Sequence, residues 1–171
     1  MTVLTGFPPV IERGCRVLIL GSMPSAESLR QQQYYAHPRN AFWPVMEKLF
    51  AIPRQDEYAS RTRLLSQKGV ALWDVLHSCV RPGSLDSAIR TGSEVLNDFS
   101  GLHARYPGIG AVFFNGGAAQ KIYRRYVLDR QALPELEYHL LPSTSPAFAA
   151  MSFENKLLRW QSVVDALGRL L

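Results

Sequence analysis

The chain has 171 residues and a mass of 19.2 kDa, the size of a single domain with a substantial core. Hydrophobic residues make up 47% of it and charged residues 19%, a balance that excludes a disordered polypeptide. The net charge of +5 fits a polyanionic partner and, equally well, simple solubility. We therefore treat residues 1–171 as one domain.

The sequence offers neither a covalent framework nor a membrane segment. Its two cysteines, Cys15 and Cys79, are too few for a disulfide scaffold or for a four-cysteine zinc or iron–sulfur site. No apolar run approaches the ~20 residues of a membrane span, and the first residues lack a signal-peptide pattern. We expect a cytoplasmic monomer that needs no metal ion, iron–sulfur cluster or other cofactor.

Four short apolar runs predict buried strands, at residues 15–20, 69–73, 111–114 and 136–141. The first three are almost continuously apolar, which is typical of strands covered on both faces. Stretches with helical spacing separate them. They lie at residues 42–50, 58–65, 93–106, 118–128 and 152–171, with Ser93 and Ser152 as cap candidates. The alternation predicts a parallel α/β sheet with helices on both faces.

In such a sheet the ligand site lies beyond the carboxyl ends of the strands. After the first strand come Gly21, which permits close approach of a ligand, and then a segment rich in aromatic and polar residues, 34–44. Its tyrosines can stack on a base, Arg39 can meet a phosphate, and the amide of Asn40 can read a base edge. Alternatively, the tyrosines cover the core and His37 lies on the surface.

The loops after the last two strands carry a second set of candidates. Asn115 precedes two glycines and a helix, which suits ligand contact, although a turn asparagine is an equal alternative. Residues 141–148 hold three hydroxyls between two prolines, followed by an apolar tip. Hydroxyls suit phosphates and an apolar tip can enter a base stack, although this loop can also be a stiff connection. Together the four loops indicate a pocket for an extruded nucleotide.

This ordered set of motifs resembles the uracil-DNA glycosylase superfamily, and most of all its hypoxanthine-DNA (deoxyinosine) glycosylase branch. The motifs are Gly21-Ser22-Met23-Pro24, Tyr35-Ala36-His37-Pro38-Arg39-Asn40-Ala41-Phe42-Trp43, Phe114-Asn115-Gly116 and Leu141-Pro142-Ser143-Thr144-Ser145-Pro146. The resemblance implies a three-layer α/β/α fold around a four-stranded parallel sheet. It also implies a base-excision-repair enzyme that flips a deaminated base out of DNA and hydrolyses the N-glycosidic bond without a metal.

The resemblance also implies roles for individual residues. The first loop, with Gly21, Ser22, Met23 and Pro24, would form the pocket floor and position water. Tyr35 would stack on the base, Asn115 would bind its edge, and Asn40 would be the catalytic amide, acting by positioning and electrostatics. The DNA contacts would come from Arg39, Ser143, Thr144, Ser145, Pro146, Ala147 and Phe148, with Phe148 filling the gap that the flipped base leaves.

Two positions depart from the superfamily pattern. Met23 stands where most members have a catalytic aspartate or asparagine, and a thioether cannot polarise water. Leu141 stands where many uracil-removing members have histidine or asparagine. Both departures argue against efficient removal of uracil, whereas the important amide of the hypoxanthine branch is matched by Asn40. Other readings stay open: removal of uracil, xanthine or an alkylated purine, a catalytically silent DNA-binding module, or a small-molecule α/β enzyme. The roles of Asp74 and His77 near the second strand are also open.

Overall fold

A computed structural model describes all 171 residues. Its elements in chain order are β1 (Val3–Thr5), β2 (Val17–Gly21), α1 (Ala26–Gln31), α2 (Phe42–Phe50), α3 (Tyr58–Gln67), β3 (Val70–Asp74), β4 (Leu76–Val80), β5 (Val95–Leu96), α4 (Phe99–Arg105), β6 (Ala111–Asn115), α5 (Gly117–Tyr126), β7 (Glu137–Leu141) and α6 (Phe153–Leu170). A single 3-10 turn, Asp86–Ala88, lies between β4 and β5. None of the helices has the length and apolar character needed to cross a bilayer.

The centre of the molecule is a four-stranded parallel sheet in the order β3–β2–β6–β7. Its strands match the four predicted ones to within two residues. Alternate side chains of β2 serve opposite faces, as the pleat requires. Val17 and Ile19 join the cluster that holds α2 and α6, whereas Leu18 and Leu20 join the cluster that holds α4 and α5. The predicted three-layer α/β/α architecture is therefore confirmed.

A second, antiparallel sheet in the order β1–β4–β5 is a feature that the strand pattern did not predict. It corrects one predicted helix, the one that would begin at Ser93. Residues Val95–Leu96 instead pair with β4, and the Ser93 hydroxyl accepts from the Val80 amide at 3.0 Å. Helix α4 begins at Phe99, capped by the Asp98 carboxylate, which accepts from the Gly101 amide at 2.9 Å.

The last helix is fixed at both its start and its middle. The Ser152 hydroxyl accepts from the Asn155 amide at 3.2 Å, which confirms the predicted cap. Further along, the Trp160 indole donates to the Pro142 carbonyl at 2.9 Å. Because Trp160 is fully buried, this bond ties the loop after β7 directly to the core. The loop that carries the predicted DNA contacts therefore starts from a rigid point.

His103 on α4 gives a stability prediction. It is buried, neither ring nitrogen is hydrogen-bonded within the protein, and burial lowers its pKa below the ordinary 6.5. As pH falls below about 6.5, the unfolded chain takes up a proton that the folded chain resists, so this residue's contribution to stability is lost in acid. We expect His103→Leu to gain stability relative to wild type as pH drops from 7.5 to 5.5, measured by urea unfolding.

The exposed histidine His77 provides the control for that measurement. His77→Gln should keep the acid sensitivity of the wild-type protein. If the stability difference between His103→Leu and wild type were the same at both pH values, His103 would not be held neutral in the fold.

Candidate active site

A pocket with a volume of about 100 Å³, partly open to solvent, lies at the carboxyl edge of the parallel sheet; we call it the edge pocket. Every residue predicted to be catalytic or to bind the base lines it: Gly21, Ser22, Met23, Pro24, Tyr35, Asn40 and Asn115. Ser143, Thr144 and Ser145 line it too. Arg39, Pro146, Ala147 and Phe148 are not among its lining residues.

The floor of the edge pocket is set by the parallel pairing of β2 with β3, which places Gly21 opposite Asp74. A Cβ atom on Gly21 would lie 2.5 Å from Asp74 Oδ1 and 3.4 Å from the Tyr35 hydroxyl. The first of these distances is far below van der Waals contact. Glycine is therefore required here by close packing against a carboxyl group.

Asp74 is the residue of this site that the sequence analysis left without a role. It is 4% exposed, and its Oδ2 atom has no hydrogen-bond partner within the protein. Burial, with a smaller contribution from the negative charge of Asp86, raises the pKa of Asp74 to about 7, while the Arg81 guanidinium acts in the opposite direction. The signal in the sequence is a lone carboxylate at the end of an otherwise apolar strand.

A second carboxylate, Asp86, lies at the rim of the edge pocket and is exposed. The Ser22 hydroxyl, in the first loop, donates to Asp86 Oδ1 at 2.5 Å. The buried guanidinium of Arg81 donates to the carbonyls of Pro24 at 2.5 Å and Gly83 at 3.0 Å. The first loop, residues 21–25, is thus held by side chains that arrive from the segment after β4.

Tyr35 stands in the wall of the edge pocket with one face covered. Its ring stacks on Phe42 with centroids 4.0 Å apart, so only the opposite face is available to a ligand. Its backbone is left-handed, with φ +57°, a strained conformation for a bulky residue. Burial raises the pKa of the Tyr35 hydroxyl, which therefore stays a neutral donor. Tyr34 also lines the edge pocket, but it is almost fully buried and belongs to the core, as the alternative reading expected.

Asn40 is oriented by the helix that follows it. Its Oδ1 atom accepts from the Phe42 amide at 2.9 Å, so the oxygen is identified by its partner, since a backbone N–H can only donate. The Nδ2 group donates to no protein atom, and Asn40 lines both the edge pocket and a neighbouring surface groove. Asn40 therefore offers a ligand a fixed pair of N–H donors.

Asn115 and Thr144 bind each other in a reciprocal pair. Asn115 Nδ2 donates to the Thr144 hydroxyl and the Thr144 amide donates to Asn115 Oδ1, both at 2.9 Å. Asn115 Nδ2 keeps a second N–H group, and Asn115 Oδ1 keeps a second lone pair, for a ligand. Thr144 itself is 1% exposed, so its side chain anchors the loop, and phosphate contact from this loop is left to its neighbours.

Three further DNA-contact candidates of that loop are Ser143 and Ser145, which line the edge pocket, and Phe148, which does not. The Ser143 and Ser145 hydroxyl oxygens accept from loop amides, at 3.1 and 3.2 Å, which leaves their O–H groups free to donate. Phe148 is 38% exposed, and Lys156 Nζ donates to its carbonyl at 2.8 Å while lying 5.2 Å from its ring centroid. The apolar tip of this loop is therefore held in place by the ammonium group of Lys156 on α6.

Three further sequence candidates lie outside the edge pocket. Arg39 is exposed and lines a neighbouring groove together with Lys48 and Arg54. His37 Nδ1 accepts from the Arg39 amide at 3.1 Å, which is a turn-stabilising role. His77 is an exposed residue of β4. Of the histidine and carboxylate residues left open by the sequence, only Asp74 is therefore brought into the pocket.

Comparison with known proteins identifies the family of this chain. The model of the uracil DNA glycosylase superfamily matches residues 8–166. A protein of Methanosarcina acetivorans named hypoxanthine DNA glycosylase is 38% identical over 159 residues, 92% of this chain and 96% of the relative. One of the same name from Methanosarcina barkeri is 39% identical over 112 residues, 65% of this chain and 70% of the relative.

A solved structure shows the same fold. The solution NMR structure of a candidate uracil DNA glycosylase from Methanosarcina acetivorans superimposes with a TM-score of 0.80 at 33% identity, covering 98% of this chain and 99% of the other. The family model and these relatives assign the chain to the DNA glycosylases. The chain belongs to the uracil DNA glycosylase superfamily, as its motifs predicted.

Asp74 generates a prediction about stability and pH. A pKa raised from 3.8 to about 7 means that the folded chain keeps a proton that the unfolded chain has lost, worth at most about 4 kcal/mol. That contribution is fully present below pH 4 and is lost as pH rises through 7. We expect Asp74→Asn to gain stability relative to wild type between pH 4.5 and pH 8, measured by urea unfolding.

Asp98→Asn is the matched control, because the amide oxygen can still cap α4 while the charge is removed in the same way. That variant should follow the wild-type pH profile. Parallel profiles for Asp74→Asn and wild type would show that the Asp74 carboxyl is not desolvated in solution.

Proposed function

We propose that this protein removes hypoxanthine from deoxyinosine in DNA, by flipping the nucleotide and hydrolysing its N-glycosidic bond. The observation that carries the proposal is the polarity of the edge pocket, where the free N–H groups of Asn40 and the unpartnered oxygen of Asp74 line one cavity. The relatives named hypoxanthine DNA glycosylase support the same substrate. The partner is thus DNA that contains a deaminated base.

The donor and acceptor pattern suits a lactam base. Hypoxanthine presents O6 as an acceptor and N1–H as a donor, whereas adenine presents an amino donor and an N1 lone pair at the same positions. An Asn40 N–H donates to O6, and the ionised Asp74 carboxylate accepts from N1–H. With adenine, the amino group would face the N–H donors of Asn40, and the N1 lone pair would face the carboxylate oxygen of Asp74. Both contacts would be repulsive. Deamination therefore converts a rejected base into an accepted one.

Asn40 also has a catalytic role in this proposal. Negative charge develops on the base as the bond to the sugar breaks, and a donor fixed beforehand stabilises that charge without reorganising. An amide has no basic pKa of use here, so it acts through this contact rather than by taking a proton. Asn115 contributes its remaining donor and acceptor to the base edge, and Tyr35 offers its uncovered face for stacking.

The DNA itself is held by the loop around residues 143–148 and by Arg39. The hydroxyls of Ser143 and Ser145 donate to phosphates, and Arg39 supplies a positive charge beside the pocket. Pro146, Ala147 and Phe148 form the apolar tip that enters the space left by the flipped base. Thr144 holds this loop against Asn115.

The substrate assignment is tested by a single-turnover assay on duplex oligonucleotides that contain one deoxyinosine, deoxyuridine or deoxyxanthosine. Alkali cleaves the abasic product. We expect deoxyinosine to react fastest. Uracil also presents an N–H donor beside a carbonyl acceptor, so a faster reaction at deoxyuridine would replace hypoxanthine with uracil as the proposed substrate. Binding without cleavage of any of the three would point to a DNA-binding module.

Asn40→Asp separates catalysis from folding. The aspartate keeps the oxygen that accepts from the Phe42 amide and replaces the N–H donors with a negatively charged oxygen, so the melting temperature should stay close to that of wild type. Loss of about 3 kcal/mol of transition-state stabilisation lowers the single-turnover rate on deoxyinosine roughly 100-fold. An unchanged rate would remove Asn40 from the mechanism. Asn155→Asp, on the first turn of α6, is a control that should retain full activity.

Phe148→Ala tests the wedge. The exposed ring should matter most when a stacked base pair has to be opened, so the rate should fall about tenfold or more on fully paired duplex and little on single strands. Leu158→Ala removes another exposed apolar side chain of this region and should change neither rate. Equal losses on both substrates for Phe148→Ala would argue against insertion into the base stack.

A further inference from the structure

Hydrolysis of a glycosidic bond is accelerated by a group that takes a proton from the attacking water. The sugar develops positive charge at C1′, and glycosidases commonly use a carboxylate to stabilise that charge or to activate water. The first loop offers Met23, whose thioether cannot accept this proton. The amide of Asn40 has no basic pKa of use for this step. The candidates for the proton acceptor are therefore the carboxylates that line the edge pocket.

The edge pocket is lined by two carboxyl groups, and they lie at different depths. Asp74 is 4% exposed at the floor, beside Gly21. Asp86 is exposed and also lines the adjoining surface groove, so it marks the mouth. The base of a flipped nucleotide is its outermost part and enters deepest, while the sugar remains bonded to the DNA strand at the mouth. Asp86 is thus the carboxylate on the sugar side.

Three contacts attach the segment that carries Asp86 to the first loop and to the start of α1. They are Arg81 to the Pro24 carbonyl at 2.5 Å, the Ala26 amide to the Ser84 hydroxyl at 2.9 Å, and the Ser22 hydroxyl to Asp86 Oδ1 at 2.5 Å. Ser22 is itself 8% exposed. The tertiary structure therefore brings a carboxylate to the residue next to Met23, with Oδ2 left free of any protein donor.

The two carboxyl groups are also electrostatically coupled. The charge of Asp86 contributes to the raised pKa of Asp74, because like charges disfavour a second ionisation nearby. Asp74 is the unpartnered buried member of the pair, and Asp86 is the solvated member.

We propose that Asp86 is the catalytic base of this enzyme, receiving the proton of the water that attacks C1′. The assignment rests on the glycosylase function proposed above. The water oxygen forms a bond to C1′, the C1′–N9 bond breaks, and its electron pair leaves with the base. The water proton passes to Asp86 Oδ2 and from there, through solvent, to the departing purine. Ser22 is a positioning residue that orients the carboxylate.

Asp86→Asn tests this role without disturbing the anchor, because the amide oxygen still accepts from Ser22. We expect its single-turnover rate on deoxyinosine duplex to fall at least 100-fold. Binding to a duplex carrying an uncleavable 2′-fluoro deoxyinosine should be unchanged or tighter, since a negative charge is removed beside a polyanion. The single-turnover rate of Ser22→Ala should fall less than that of Asp86→Asn, by about tenfold. Glu94→Gln, beside the same surface groove, should match wild type.

Chemical rescue separates proton transfer from a purely structural contribution. Formate should restore a substantial part of the rate of Asp86→Ala, because the site is open to solvent, and should not accelerate Ser22→Ala. If the wild-type protein cleaves deoxyinosine and the Asp86→Asn rate lies within threefold of the wild-type rate, the role proposed for Asp86 is wrong. The proposed function would then still stand. A wild-type protein that removes none of the three bases would overturn both.

Discussion

The close approach of Gly21 to Asp74 is the constraint on which the edge pocket depends. Neighbouring parallel strands end level with each other, so whatever follows them shares one small volume. Because Gly21 has no side chain, the Asp74 carboxyl occupies the space that a Cβ would fill and lies beside the Tyr35 hydroxyl. A larger residue at 21 would displace the carboxyl and the floor with it. The register of β2 against β3 therefore determines the shape of the pocket floor.

Burying that carboxyl costs stability, and the structure does not offset the cost with a partner. An ion pair or a set of amide donors would return Asp74 to an ordinary pKa, yet Oδ2 has no donor and the nearby Arg81 uses two nitrogens on backbone carbonyls. A group left unsatisfied in this way is typical of a site shaped for a ligand that supplies the missing contact. The N1–H of a lactam base is a donor of the required kind.

The sheet was predictable because continuous apolar runs are a local signal. The residues that line the edge pocket were predictable because strand ends converge at one edge. Other features were not local. Ser93 and Asp98 are both good cap residues, and only the pairing of Val95–Leu96 with β4 decides that the helix starts after Asp98. The contact between Ser22 and Asp86 joins residues 64 positions apart, a separation at which neither periodicity nor motif spacing carries information.

Preorganisation connects the fold to the chemistry. The Asn40 amide is oriented by the first turn of α2, Asn115 by its reciprocal bonds to Thr144, and the loop beyond Thr144 by the indole of Trp160. These two amides and this loop are thus fixed by bonds to rigid elements before a ligand arrives. Groups fixed in this way do not have to reorient as charge develops in the transition state. An amide without a useful basic pKa can contribute to catalysis when it is oriented in advance. The hydrogen bond from the first turn of α2 is therefore as important for Asn40 as its position in the pocket.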